Sequence, residues 1–281
     1  MNKKRKIFVI LICFVILALL MVCAFYNGLV VNKHKLTTNK LNKEDSIRIV
    51  LITDLHSHIY GKNQSKLVSL IEKQKPDIIA LAGDIVDDSV PIEGAKQFLI
   101  GIEGLAPTFY VSGNHEYWSN DIRNIKALFR KYNVNVLENN YQNINIRNSN
   151  LIIGGVEDPE IMRYEYTNLN YSEIFHNSFS ELKDKSQYKI LLAHRPEFIE
   201  LYKESYFDLV LSGHAHGGQV RIPFIINGLF APNQGWLPKF AGGKYQHDSL
   251  VHVVSRGISF NPRLPRIFNP PEVVVIDIEG E

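Results

Sequence analysis

The chain has 281 residues, 45% of them hydrophobic and 21% charged, with a formal net charge of +2. That is an ordinary globular composition with room for one large core. Four of the positive charges, Lys3, Lys4, Arg5 and Lys6, fall in the first six residues, so the remainder is near neutral and gives no case for nucleic-acid binding.

Residues 7–26 carry no charge and match the roughly 20 residues that a membrane-spanning helix needs. The basic cluster at residues 1–6 predicts a cytoplasmic N-terminus. The expected location is therefore the cell membrane, single-pass, with the following domain extracytoplasmic. A cleaved signal peptide is the alternative, but the apolar run is longer than such peptides use. Both cysteines, Cys13 and Cys23, lie in this segment, so the domain beyond it uses neither a disulfide nor a thiolate ligand. Residues 27–46 are rich in Lys and Asn and read as a linker, leaving 47–281 as one domain.

The first strand of that domain is Ile47–Thr53, ending in Asp54-Leu55-His56-Ser57-His58. Helical spacing of Leu67, Leu70 and Ile71 predicts a helix over Ser65–Gln74, closed by Pro76. A second strand, Asp77–Ala82, runs into Gly83-Asp84-Ile85-Val86-Asp87. After a helix near Glu93–Ile102, a third strand, Thr108–Val111, runs into Ser112-Gly113-Asn114-His115-Glu116. Another helix covers about Asp121–Tyr132. Val134–Val156 alternates and is punctuated by Asn-rich turns, which predicts antiparallel strands opening a second sheet. Residues 157–170 read as an irregular loop and Ser172–Lys185 as a helix. Tyr188–Ala193 is a strand ending in His194-Arg195-Pro196, and Glu197–Glu204 a short helix. The strand Leu209–Ser212 runs into Gly213-His214-Ala215-His216-Gly217-Gly218. Residues 222–247 are rich in Gly, Pro and aromatics, and Leu250–Ser255 and Val273–Ile278 close the domain.

Five apolar strands thus end in candidate metal ligands: Asp54 with His56, Asp84, Asn114 with His115, His194, and His214 with His216. In sheets whose strands alternate with helices, sites form beyond the carboxyl ends of the strands, so residues more than 160 positions apart can meet. Without His115 the set is four imidazoles, two carboxylates and an amide. It is too large for one tetrahedral ion with an open position, and it suits two ions sharing a carboxylate. Its chemistry favours Mn, Fe or Zn over Ca or Mg. Such a pair supports in-line phosphoryl displacement.

Asp-x-His, Gly-Asp-x-x-Asp, Gly-Asn-His-Glu, a lone His after a strand and Gly-His-x-His, in that order, resemble the calcineurin-like metallophosphoesterase superfamily. Gly217-Gly218-Gln219, His194-Arg195-Pro196 and Pro270-Pro271-Glu272 are similar to its small bacterial branch, whose members are often membrane-anchored or exported. The resemblance implies an α/β fold, a four-layer αββα sandwich of two mixed sheets flanked by helices. It implies that Asp54, His56 and His216 hold a first metal, that Asn114, His194 and His214 hold a second, and that Asp84 bridges them, with Mn favoured. His115 would serve the leaving-group oxygen and Asp87 would orient His115. Arg195, Arg256 and Arg266 are candidate phosphate contacts, and His58 a bystander. The expected substrate is a phosphate ester, a phosphodiester or pyrophosphate, with membrane anchoring pointing to a lipid-linked or cell-envelope one. The competing function is a non-catalytic scaffold on the same fold, which the intact ligand set disfavours. A metalloprotease is disfavoured because no His-Glu-x-x-His motif occurs.

Overall fold

The structure, a computed structural model, describes residues 3–164, 169–260 and 264–281. Helix α1 (Lys3–Ala24) projects its apolar side chains outward over almost its whole length. At 22 residues and a mean hydropathy of 3.4 it is long and apolar enough to cross a membrane. Strands β1 (Val30–Thr38) and β2 (Ser46–Ile52) follow, then α2 (Ser65–Glu72), β3 (Ile78–Ala82), α3 (Glu93–Ile102), β4 (Thr108–Val111), α4 (Asn114–Trp118), α5 (Ile122–Lys131) and β5 (Val134–Val136). The second half runs β6 (Asn140–Ile146), β7 (Ser149–Val156), α6 (Ile161–Tyr164), α7 (Tyr171–Phe179), β8 (Tyr188–Ala193), α8 (Ile199–Lys203) and β9 (Leu209–Ser212). It finishes with β10 (Phe230–Ala231), β11 (Gly235–Trp236), β12 (Gly243–His247), β13 (Leu250–Val254) and β14 (Glu272–Gly280).

Two six-stranded mixed sheets form, in the orders β1-β14-β2-β3-β4-β5 and β12-β13-β9-β8-β7-β6. In the first, β2 to β5 are mutually parallel; in the second, β7, β8, β9 and β13 are. Period-two alternation decides which face each side chain takes. Ile49 and Leu51 of β2, Ala80 of β3 and Val274 and Ile276 of β14 meet Ile190, Leu192, Leu209 and Leu211 between the sheets. Val50, Ile52, Ile79 and Leu81 turn to the other face, onto Leu67 of α2, Phe98 of α3 and Phe129 of α5. Leu191 and Val210 pack outward on Phe175 and Phe179 of α7 and Tyr202 of α8. These are the four layers of the expected αββα sandwich.

Two expectations are corrected. Residues 27–46 are not simply a linker, because β1 pairs in parallel with β14 from Val30↔Glu272 to Thr38↔Gly280. Its polarity is that of an edge strand, with Lys33 and Lys35 on a border that must not recruit further strands, and only Leu36 buried. Val134–Val136 does not open the second sheet; it extends the first beside β4, and the second begins with the β6–β7 hairpin. Of residues 157–170, Ile161–Tyr164 form a helical turn and 165–168 lie outside the described residues.

Candidate metal centre

The strand ends β2, β3, β8 and β9 bring six of the seven expected ligands together, and Asn114, the seventh, is buried at the end of β4. Asp54, His56 and His216 have donor atoms within 4.8 Å of one another, as do Asp84, His194 and His214. Asp84 stands between the groups: its Oδ2 lies 3.8 Å from His56 Nε2 and 3.1 Å from His194 Nε2. His216 Nε2 is 3.5 Å from Asp54 Oδ1.

The chain reaches this arrangement through strained turns. Asp54, His56, Asp84, His214 and His216 all have positive φ, between 46° and 66°. Non-glycine residues avoid that region, and such strain gathers at functional sites. Two glycines make the approach possible. A Cβ on Gly83, at φ +83°, would sit 2.4 Å from His194 Nδ1, and one on Gly213 would sit 2.5 Å from Asp54 Oδ2. The Gly-Asp and Gly-His pairs of the sequence are therefore clearance for the ligand beside them.

Three of the four imidazoles are oriented from behind. His194 Nδ1 lies 2.8 Å from the Ala82 carbonyl, which holds the proton on that nitrogen and turns Nε2 to the centre. His56 Nδ1 lies 2.9 Å from Asp87 Oδ2, with the same consequence. His214 Nε2 lies 2.8 Å from Asn233 Oδ1, which leaves Nδ1 as its free donor. Among the described residues, His56 Nε2 and Asn114 Oδ1 are buried with no hydrogen-bond partner. Unsatisfied buried polar atoms are costly, and bound cations would satisfy them. Nitrogen and oxygen donors without thiolate fit divalent ions of the Mn, Fe or Zn kind.

The charges are arranged to match. Burial disfavours a charge on His194, but the Asp84 carboxylate outweighs it and carries the pKa up to about 10. Burial lowers His214 to about 4 and His216 to about 3, so both are neutral ligands at ordinary pH. Glu116, fully buried, accepts backbone N–H bonds from Asp84, Ile85, Val86 and Gly113 at 2.7–3.0 Å. It ties the β3 turn to the β4 turn. Burial, then Asp84, push its pKa up to about 7 against those donors.

His115 lies at the rim, its ring centroid 4.3 Å from that of His56. Its expected partner was Asp87, and here the geometry differs. His115 Nδ1 is 2.6 Å from Asp88 Oδ1 and 3.5 Å from Asp87 Oδ2. Asp87 Oδ1 is taken by the N–H groups of Ser89 and Val90 and by the Ser89 hydroxyl, which aims Oδ2 at His56. Asp88 was missed because adjacent carboxylates in a turn look alike in sequence. Asn233 was missed because it lies in an aperiodic segment.

Two of the three candidate arginines are committed elsewhere. Arg195 is buried, paired through Nε and Nη2 with Asp158 at 2.7 and 3.0 Å and reaching Glu160. Arg256 pairs with Glu272. Arg266, also buried, donates to the Arg256 carbonyl at 2.7 Å and lies 3.5 Å from His216 Nδ1. His58 packs edge-on against Tyr60 and Phe260 and joins neither donor group.

Comparison with known proteins agrees with this geometry. The family profile Metallophos, calcineurin-like phosphoesterase, matches residues 47–218. An uncharacterized metallophosphoesterase of Aquifex aeolicus is 32% identical over 258 residues, covering 89% of this chain and 92% of that one. One from Campylobacter jejuni is 31% identical over 255 residues, but the chain spans only 61% of its length. Among solved structures, the NAD nucleotidase of Haemophilus influenzae superposes with a TM-score of 0.53 at 15% identity, over 78% of this chain and 46% of that one, a likeness of fold alone.

Proposed function

This chain belongs to the calcineurin-like phosphoesterase family of metal-dependent hydrolases, and on that premise we propose that it hydrolyses a phosphodiester or pyrophosphate bond with two divalent ions, Mn favoured. Asp54, His56 and His216 would hold one ion and Asn114, His194 and His214 the other, with Asp84 common to both. The observation that carries this reading is the Asp84 carboxylate standing between the inward nitrogens of His56 and His194, 3.8 and 3.1 Å from its Oδ2. Divalent ions bound there supply Lewis acidity toward phosphoryl oxygens and make water a nucleophile near neutral pH.

The chain's own groups supply the rest. Asp88 fixes the Nδ1 side of His115, so that Nε2 can hold a proton for the departing oxygen. Arg266, fixed by the Arg256 carbonyl, is the guanidinium that meets a phosphate oxygen. Asp87 acts through His56, and Arg195 only through the fold. Helix α1 anchors the protein as a single-pass membrane protein, with the basic N-terminus cytoplasmic and the domain, now β1 to β14, outside. Anchoring favours a lipid-linked or envelope substrate.

The test is hydrolysis of an aryl phosphodiester by the purified full-length chain. Activity is expected with Mn²⁺ and its loss with a chelator, with two ions bound per chain by elemental analysis. Hydrolysis undiminished after complete metal removal would overturn the reading.

A further inference from the structure

Helix α1 ends beside the loop that surrounds the metal centre. The Ala24 carbonyl accepts from the Phe268 N–H at 2.8 Å. Ile267 bridges to Val220, and the Arg221 N–H donates to the Ile267 carbonyl at 2.9 Å. Next to Phe268, Asn269 Nδ2 donates to the His216 carbonyl at 2.8 Å. From the other side, Leu229 N–H donates to the Gly218 carbonyl and Asn233 meets His214. One loop, residues 219–237, therefore touches the strip at the helix exit and, through Asn233 and the Gln219 N–H on the His216 carbonyl at 3.2 Å, both histidines of the Gly-His-x-His turn.

The same loop turns its largest apolar side chains outward. Phe224 is fully exposed, Ile225 78%, Trp236 73% and Leu237 64%. Phe224 sits at the turn closed by the Ile222–Ile226 bridge, with φ +67°, and Leu237 has φ +53°. Bulky residues held in the left-handed region while facing water are doubly unfavourable, and such a patch marks an interaction surface.

We propose that this loop is a second membrane contact: Phe224–Ile225 and Trp236–Leu237 enter the interfacial layer of a lipid bilayer beside α1 and seat the mouth of the metal centre at headgroup level. The occupant is lipid because the loop continues a surface already suited to it. Helix α1 exposes apolar side chains nearly throughout, and its last carbonyl is bonded one residue from the strip that pairs with this loop. Tryptophan suits a bilayer interface, with an apolar ring and an N–H that stays hydrated. Lys239, stacked on Phe240 two residues past Leu237, adds a positive charge for anionic headgroups. One consequence rests on the phosphohydrolase reading: phosphoesters in the headgroup layer reach the metals without leaving the bilayer.

The contact is tested apart from activity. Trp118→Phe leaves Trp236 as the only tryptophan. This full-length chain is reconstituted in vesicles of phosphatidylcholine and phosphatidylglycerol, with or without bromine on the acyl chains. Brominated lipid is expected to quench most of the Trp236 emission, and the added changes Phe224→Asp and Ile225→Asp to restore it and open it to aqueous acrylamide. Emission indifferent to brominated lipid yet open to acrylamide, in protein that resists carbonate extraction, would overturn the proposal while leaving the α1 anchor standing. For the consequence, Phe224→Asp with Ile225→Asp should lose hydrolysis of a vesicle-embedded phospholipid and keep that of a soluble aryl phosphodiester; equal activity on both refutes it. If the parent chain hydrolyses neither, the phosphohydrolase reading fails and the quenching result stands alone.

Discussion

The two sheets contribute unlike halves to the metal centre. The first supplies Asp54, Asp84, Asn114 and His56, three oxygen donors and one imidazole. The second supplies His194, His214 and His216, imidazoles only. The first half places two buried carboxylates close together, which repel each other and require positive charge between them. The second half is neutral at His214 and His216 but cationic at His194, which Asp84 holds protonated. His194 would have to be neutral to serve as a ligand, so metal held by Asp84 and His194 would be expected to bind with release of a proton. Neither half is a site alone. The centre exists only where the sandwich closes.

The largest effect should come from the residue the halves share. Asp84→Asn removes an anion that both groups use, so bound metal should fall below two ions per chain. Turnover should fall by more than the roughly 100-fold that marks the upper end for outer-shell partners. Retention of both ions, by elemental analysis, would separate the halves again.

Arg195→Ala probes the second sheet's support. It leaves Asp158 buried without its partner, and stability should drop by about 3 kcal/mol or more, read from denaturant midpoints. The KM of whatever enzyme survives should be unchanged, because the Arg195 guanidinium is committed to Asp158 and Glu160. A raised KM with unchanged stability would restore it as a phosphate contact.

Two neighbouring carboxylates divide the first half more finely. Asp87→Asn should weaken metal binding by roughly 10–100-fold, through His56. Asp88→Asn should spare metal binding and slow turnover by roughly 10-fold or more, through His115. Metal titration and kcat distinguish them, and an exchange of the two phenotypes would return Asp87 to His115.

The smallest effect concerns a histidine outside the centre. His252 is buried, bonded to Ser212 Oγ at 3.0 Å, and burial lowers its pKa to about 3. Between that value and the ordinary pKa near 6.5 the unfolded chain binds the extra proton, so stability falls as pH drops. With metal in excess, His252→Leu should abolish about 2 kcal/mol of the stability lost between pH 7 and 5. An unchanged pH slope would contradict the assignment.

Much of this was legible in sequence because it is local. Apolar runs of four or five residues ending in Gly-Asp, Gly-Asn-His or Gly-His give both the strand and the abrupt turn after it. The glycines are there because a Cβ would strike the neighbouring ligand, so the motif carries the packing constraint in its own spelling. Composition also fixes α1 as a helix suited to lipid. What the sequence could not decide is pairing at a distance. Polar residues 30–38 become an edge strand only because β14 offers its free side. Whether Asp87 or Asp88 meets His115, and whether Arg195 meets substrate or Asp158, turns on side-chain direction within a folded turn. Asn233 reaches His214, and the loop that carries Phe224 is tied toward the helix exit, because residues 219–221 pair with Ile267 and the next residue, Phe268, bonds to Ala24 at the end of α1. Strand periodicity and turn chemistry are properties of neighbouring residues; charge partnership is a property of space, and only closure of the two sheets supplies it.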